Sequence, residues 1–216
     1  MLRCSVRRCA SAVYGTPGRE QVDPIHHTRV RLVLASSSPR RRELLTAAGL
    51  AIEIDPADID ERQLPGEPPR AYVERLARAK AATVAARHPG RVIVAADTTV
   101  AVDEEILAKP EDAADAARML TLLSGRSHDV FTGVAVARDG EIQSGVDASV
   151  VTMRPIAVDE IDAYIASGEP MDRAGAYAIQ GGAASFVTRC DGAFDTVVGL
   201  PVVLVRSLLA GFESRR

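Results

Sequence analysis

Residues 32–45, Leu-Val-Leu-Ala-Ser-Ser-Ser-Pro-Arg-Arg-Arg-Glu-Leu-Leu, constrain the fold more than any other stretch. The apolar run over residues 31–35 reads as a short buried strand. Ser36, Ser37 and Ser38 follow, then Pro39, and helical spacing begins at Arg40. Ser38 suits a helix N-cap, and Pro39 suits the first helical position, where a missing N–H is harmless. Leu44, Leu45, Ala48 and Leu50 supply that helix with an apolar face. The turn therefore gathers three hydroxyls and a helix N-terminus at the end of a strand. Unpaired N–H groups and the helix dipole favour an anion there. Arg40 and Arg41 add planar forks that match phosphate oxygens. By spacing alone the same turn is also that of a capped surface helix with solvated arginines. The Gly-x-x-x-x-Gly-Lys-Ser/Thr pattern of a P-loop is absent.

Strand and helix patterns alternate from there on. Residues 51–54 read as a second strand, followed by a polar loop over 55–69 rich in acids and prolines. Pro68 and Pro69 open a long helix to about Arg87, with Tyr72, Leu76, Ala79, Thr83 and Ala86 on one face. Residues 92–96 form a buried strand, continued at 100–102, with a turn over 103–105. Pro110 and Asp112 open a helix that ends near Leu123. Residues 130–137 and 142–153 are long strands joined at Arg138-Asp139-Gly140, a hairpin signal. A helix over 158–166, a glycine-rich loop at Gly181-Gly182, a strand over 185–189 and a helix from Gly199-Leu200-Pro201 to about Leu209 complete the pattern. This alternation predicts an α/β fold with a mixed, twisted sheet and flanking helices.

Composition narrows the classes. The 216 residues suit one large domain or two small lobes, and 47% apolar residues is ordinary for a chain with a real core. A net charge of −3 gives no argument for nucleic acid or a membrane surface. No window reaches the ~18 apolar residues of a membrane span. Three cysteines, Cys4, Cys9 and Cys190, are too few and too scattered for a disulfide scaffold, and suit a reducing, cytoplasmic setting. Residues 1–29 differ from the rest. Arg3, Arg7, Arg8, Arg19 and Arg29 outnumber Glu20 and Asp23, and apolar periodicity is weak. They are expected to be a disordered extension, or the product of a start codon assigned too early, ahead of a domain over residues 30–216.

Four polar groups carry possible chemistry. The first is the Ser/Arg turn. The second is Asp97, directly after an apolar strand, where ligands of α/β sheets gather; an Asp capping a loop has the same pattern. The third is Asp58, Asp60 and Glu61. With Asp97 these carboxylates could hold Mg²⁺ or Mn²⁺, which prefer oxygen ligands and bridge to phosphates, or form a solvated acidic loop. The fourth is Lys80 and Lys109, whose ordinary fate is a solvated surface. Together the four spell a phosphate pocket suited to phosphoanhydride hydrolysis, where positioning and charge stabilisation do most of the catalysis.

The series from Leu34 to Leu45 resembles the opening signature of the Maf family of nucleotide pyrophosphatases. Further blocks match in order: Ala96-Asp97-Thr98, Lys109-Pro110, the residues 123–128, Phe131-Thr132-Gly133-Val134, the residues 174–181, and Val197-Val198-Gly199-Leu200-Pro201. The resemblance implies hydrolysis of nucleoside triphosphates to monophosphate and pyrophosphate with a divalent metal. It also implies a fold of two lobes around a central cleft, of the kind shared by Maf and inosine triphosphatase proteins, and a homodimer. Carried over by position, Asp97 is the proton acceptor, Glu61 assists at the metal, and Ser36, Ser38, Arg41, Lys80 and Lys109 hold phosphates. Arg40, Thr98 and Gln180 fall where subgroups diverge. The subgroup acting on dTTP and UTP carries Arg, Thr and Gln there; the 7-methyl-GTP subgroup carries Trp, Gln and Glu. Ala178 in place of a common glycine, and Gly182-Ala183-Ala184, depart from the family pattern and bear on the shape of the base pocket. A nucleotide-binding regulator of cell division is the competing reading. Asp97 with Glu61 and the lysines favours catalysis, because a sensor needs neither a base nor metal carboxylates.

Overall fold

The computed structural model describes residues 32–213. The expected extension over 1–29 lies outside the described residues. Seven strands form one sheet: β1 (Leu32–Leu34), β2 (Ile52–Ile54), β3 (Ile93–Val102), β4 (Glu105–Leu107), β5 (Ser127–Arg138), β6 (Glu141–Met153) and β7 (Val187–Asp191). Their order is β2-β1-β3-β5-β6-β7, with β4 beside β3. β1 pairs parallel to β2 and β3, and the other pairings are antiparallel, so the sheet is mixed as the alternation predicts. Among the described residues six α-helices flank it: α1 (Pro39–Ala47), α2 (Pro69–Ala85), α3 (Ala113–Leu123), α4 (Val158–Ala166), α5 (Phe194–Val198) and α6 (Val202–Glu213). No helix among the described residues is long and apolar enough to cross a membrane.

The sheet's two faces differ in grain. On one, Val33, Ala35, Ile93, Ala95, Ala135 and Ala137 pack against Ala77, Ala81 and Val84 of α2. These small residues let α2 lie close. At Gly133 the approach is tightest, since a Cβ there would stand 2.4 Å from the Val73 carbonyl oxygen. The other face holds the larger core, where Leu34, Val94, Val134 and Val136 meet Leu45 of α1, Leu120 and Leu123 of α3, and Val205 of α6.

Local signals explain the boundaries. Asp112 caps α3 by accepting from the Asp115 N–H at 2.8 Å. The β5–β6 hairpin turns at Asp139 and Gly140, both at positive φ (50° and 85°), the conformation an Asp-Gly pair adopts readily. β4 and α5 have no counterpart in the sequence reading, being too short for periodicity to register.

Two expectations are corrected. The buried stripe of α2 runs Tyr72, Val73, Leu76, Ala77, Lys80, Ala81 and Val84, while Ala79 and Thr83 are half-buried and Ala86 is exposed. The helix lies flat on the sheet and buries a wide arc, not a single i, i+4 row. Second, β3 is not interrupted between Ala96 and Val100. It runs unbroken through Asp97 to Val102, held by β5 from Ile93↔Ala137 to Ala101↔Asp129.

Candidate active site

The pairing of β3 creates the opening. On its far side from β5, β3 is joined to β1 at Ile93 and Val94 and to β4 from Val100 onward. Among the described residues, 95–99 have no strand partner on that side. A cleft of about 430 Å³ sits against this gap, within the range of small-molecule sites. Asp97 and Thr98 point to opposite faces of β3, as successive strand residues must. Both reach the cleft because it opens at the strand's edge. The ten residues to which the family resemblance assigns roles all line it: Ser36, Ser38, Arg40, Arg41, Glu61, Lys80, Asp97, Thr98, Lys109 and Gln180.

The turn after β1 is built around Ser36 and Arg41. Ser36 is buried, and its Oγ accepts from the Ser38 N–H at 3.2 Å and from Arg41 Nη1 at 3.1 Å. Ser38 stands at the N-cap with Pro39 behind it, as read, but its hydroxyl makes no capping bond. The first N–H groups of α1 thus lack a side-chain acceptor. Arg41 spreads its fork over three segments: Nε donates to the Gly199 carbonyl at 2.9 Å, and Nη2 to Thr98 Oγ1 at 3.1 Å. Thr98 Oγ1 lies 3.0 Å from Thr132 Oγ1, which donates to the Thr196 carbonyl at 2.8 Å. Thr132 spends its only hydroxyl proton on that carbonyl, so Thr98 is the donor between the two hydroxyls. Of Arg41's five N–H donors, three are occupied internally, leaving two for a ligand. Burial lowers its pKa from the usual arginine value, opposed by Asp97 and Glu61.

Across the cleft, Lys80 projects from the buried stripe of α2. Its Nζ lies 2.6 Å from Asp97 Oδ1 and 2.6 Å from Glu61 Oε1. The Lys80 and Asp97 side chains are each 10% exposed, whereas Glu61 is 52% exposed. The Tyr72 hydroxyl donates to the Glu61 carbonyl at 2.9 Å and fixes that end of the polar loop. Lys80 is therefore not the solvated lysine of the ordinary case; Lys109, at the rim, is exposed.

Asp58 and Asp60 do not join this group. Asp60 is gripped by Arg62, two residues on, through Nε, Nη2 and the backbone N–H, which together hold its carboxyl down to about 2. Among the described residues no three His, Cys, Asp or Glu side chains form a metal-holding group. Asp97 and Glu61 do converge on one cation already, the Lys80 ammonium, and as a pair of oxygen donors they are the residues that would suit a hard divalent ion.

Arg173 escaped the sequence reading, although it directly precedes the 174–181 block. It lines the cleft, and its Nε is buried without a hydrogen-bond partner among the described residues. Burial, followed by the like charges of Arg173 and Arg41, lowers the pKa of Arg40. Guanidinium groups crowded in this way mark a place that an anion would relieve.

A family model for Maf-like proteins matches residues 31–212. The chain is 53% identical over 188 residues to the dTTP/UTP pyrophosphatase of Anaeromyxobacter dehalogenans, covering 84% of this chain and 95% of that one. It is 54% identical over 175 residues to the dTTP/UTP pyrophosphatase of Geobacter sulfurreducens, covering 80% and 91%. With the Myxococcus xanthus protein of the same name it shares 53% over 171 residues, covering 79% and 87%.

Proposed function

The chain belongs to the family of Maf-like proteins, and from that premise we propose that it hydrolyses nucleoside triphosphates, dTTP and UTP foremost, to the monophosphate and pyrophosphate. The activity is assigned to residues 30–216. The observation that carries the reading is Lys80, which holds Asp97 and Glu61 side by side at 2.6 Å in a cleft also lined by Arg40, Arg41, Lys109 and Arg173. Carboxylates and cations in one cleft suit a reaction in which a base meets a polyphosphate.

In the proposed reaction the cations and the free N–H groups of α1 hold the phosphate oxygens. Water attacks the α-phosphorus, the bond to the α–β bridging oxygen breaks, and pyrophosphate leaves with that electron pair. Asp97 Oδ accepts the proton lost by the water. Glu61 and Asp97 are the residues that would hold Mg²⁺ or Mn²⁺, which when bound neutralises phosphate charge and orients the chain of phosphates. The half-exposed Glu61 leaves the outer side of the carboxylate pair open for this.

Base choice is assigned to Gln180. Uracil and thymine present two carbonyl acceptors flanking one N–H, and a Gln amide carries both an acceptor and donors. Arg40 offers donors only, which suits a carbonyl or a phosphate. Thr98, bound to Arg41 and Thr132, acts by holding Arg41 in place. The family likeness also brings a homodimer and a cytoplasmic setting into the proposal, the first open to sedimentation analysis.

The test is kcat/KM for UTP, dTTP, CTP, GTP and 7-methyl-GTP with Mg²⁺ and Mn²⁺, with pyrophosphate and phosphate resolved. UTP and dTTP are expected to lead, with pyrophosphate as the product, and Gln180→Glu is expected to weaken UTP use. Release of orthophosphate with a nucleoside diphosphate would overturn the bond assignment. A preference for 7-methyl-GTP would overturn the base pocket alone.

A further inference from the structure

Gln180 stands at the third position of a turn closed by the Gly181 N–H on the Ala178 carbonyl at 3.0 Å. Its own side chain is exposed and makes no hydrogen bond among the described residues. The backbone of the turn therefore sets where its Cα and Cβ stand, and with them the part of the cleft its amide can reach. Two side chains from one neighbouring segment fix that backbone on either side. Tyr164, near the end of α4, accepts the Ala178 N–H on its hydroxyl at 3.1 Å. Glu169, which opens the short 3-10 turn Glu169–Asp172, accepts the Gly182 N–H on Oε2 at 3.0 Å. Gly168, at φ 75°, makes the reversal between them.

The glycines of this loop record how closely Glu169 is seated. Gly181 has φ −115°, outside the left-handed region that favours glycine. The space its side chain would need is taken: a Cβ at 181 would stand 1.6 Å from Glu169 Oε1 and 2.5 Å from its Cδ. At Gly182 a Cβ would meet Tyr164 Cε2 at 3.1 Å. Glu169 does not line the cleft, whereas residues 177–180 do. It braces the wall from behind.

We propose that Glu169 is a positioning residue for base selection, its carboxylate seated on Gly181 and Gly182 so that Gln180 presents its amide to a pyrimidine edge. The proposal rests on the assignment of Gln180 to the base. A carboxylate accepting a backbone N–H makes one of the stronger hydrogen bonds, and it acts on a group that meets the base and not the reacting phosphorus. Its loss is therefore read in KM and in discrimination between bases, and not in kcat.

The experiment uses the full chain with four substitutions: Glu169→Ala, Glu169→Gln, Gly181→Ala, and Glu169→Ala combined with Gly181→Ala. Steady-state kinetics are measured with UTP and with GTP. Glu169→Ala is expected to raise KM for UTP about tenfold, the effect of one such bond, with kcat within about twofold and GTP kinetics little changed. Gly181→Ala places a methyl where the carboxylate sits. Because that carboxylate ends a flexible side chain, it moves out and the variant shows the same loss. The combined variant is no worse than either single one, since the methyl then fills vacated space. Glu169→Gln keeps an acceptor oxygen for the Gly182 N–H and recovers most of the preference. A fall in kcat for both nucleotides alike would overturn the proposal, as would additive losses in the combined variant. An unchanged UTP-to-GTP ratio in Glu169→Ala, in a wild type that prefers UTP, would overturn it while leaving the functional reading intact. A wild type without that preference would overturn the base assignment and this proposal with it.

Discussion

Replacing Lys80 by Met separates what the buried ammonium does for the fold from what it does for the reaction. Met fills much of the same volume, so the change is chiefly one of charge. Its removal leaves Asp97, whose side chain is 10% exposed, as a carboxylate without its counter-ion. Breaking a buried pair in this way costs about 3–5 kcal/mol. Glu61, 52% exposed, can rehydrate, and its half of the bridge is worth about 0–1 kcal/mol. The loss thus belongs almost wholly to the Lys80–Asp97 contact, and a second substitution tests this. Asp97→Asn in the Lys80→Met background removes the stranded charge and should recover at least half of the lost stability. The coupling energy between the two positions is then at least about 1.5–2.5 kcal/mol, the recovered part to which the cost of Asp97→Asn alone adds, a large value for residues in contact. Urea unfolding of the four proteins at pH 7 measures it. Turnover should not recover with stability, because the proposed base and the cation proposed to hold phosphate are both gone. Losses that add to within about 0.5 kcal/mol would refute the argument, since they would mean that the ammonium and the carboxylate are stabilised independently.

Asp97→Asn alone should lower kcat by about 10²–10⁴-fold with pyrophosphate still the product; near-normal turnover in a quench assay would exclude it as the base. Arg41→Lys keeps the charge and loses the fork that reaches Gly199, Ser36 and Thr98. An ammonium serves one of those acceptors, so about 3 kcal/mol of stability should go with the other two, accompanied by a raised KM; an unchanged melting temperature would count against the tie. His128 gives a pH dependence. It is buried, with Nε2 2.8 Å from the Tyr177 hydroxyl and Nδ1 unpartnered, and burial pulls its pKa from 6.5 down to about 4. The unfolded chain therefore binds a proton that the folded one refuses. Stability should fall as pH drops from about 6.5 to about 4, by up to about 3 kcal/mol, and level off below. His128→Gln should lack this component, and unfolding curves with the same pH slope in both proteins would contradict it.

How much of this was legible in the sequence depended on the range of the signal. The strand, serine turn and Pro39 start of α1 are local, and they appear where the pattern puts them. The Asp-Gly hairpin and the Asp112 cap are local as well. The motif residues could be named because an ordered series of short blocks resembled a family, and the series needs no folding to be recognised. Tertiary structure decided everything that depends on which surfaces meet. Lys80 has the sequence neighbourhood of a solvated helix lysine. It is buried because alanines on α2 and β3 and the missing side chain of Gly133 let the helix lie close to the sheet. Asp97 and Asp60 are both acids beside apolar residues; one meets an ammonium from a helix 17 positions back, the other an arginine two positions ahead. The strand carrying Asp97 runs on unbroken, and the cleft exists because β1 ends and β4 begins with a gap between them along its edge. Propensity, periodicity and motif are properties of one stretch of chain, legible there because no other segment has to be consulted. Burial, counter-ions and the unpaired edge of β3 are properties of pairs of distant segments, and they came into being only when the sheet closed around α2.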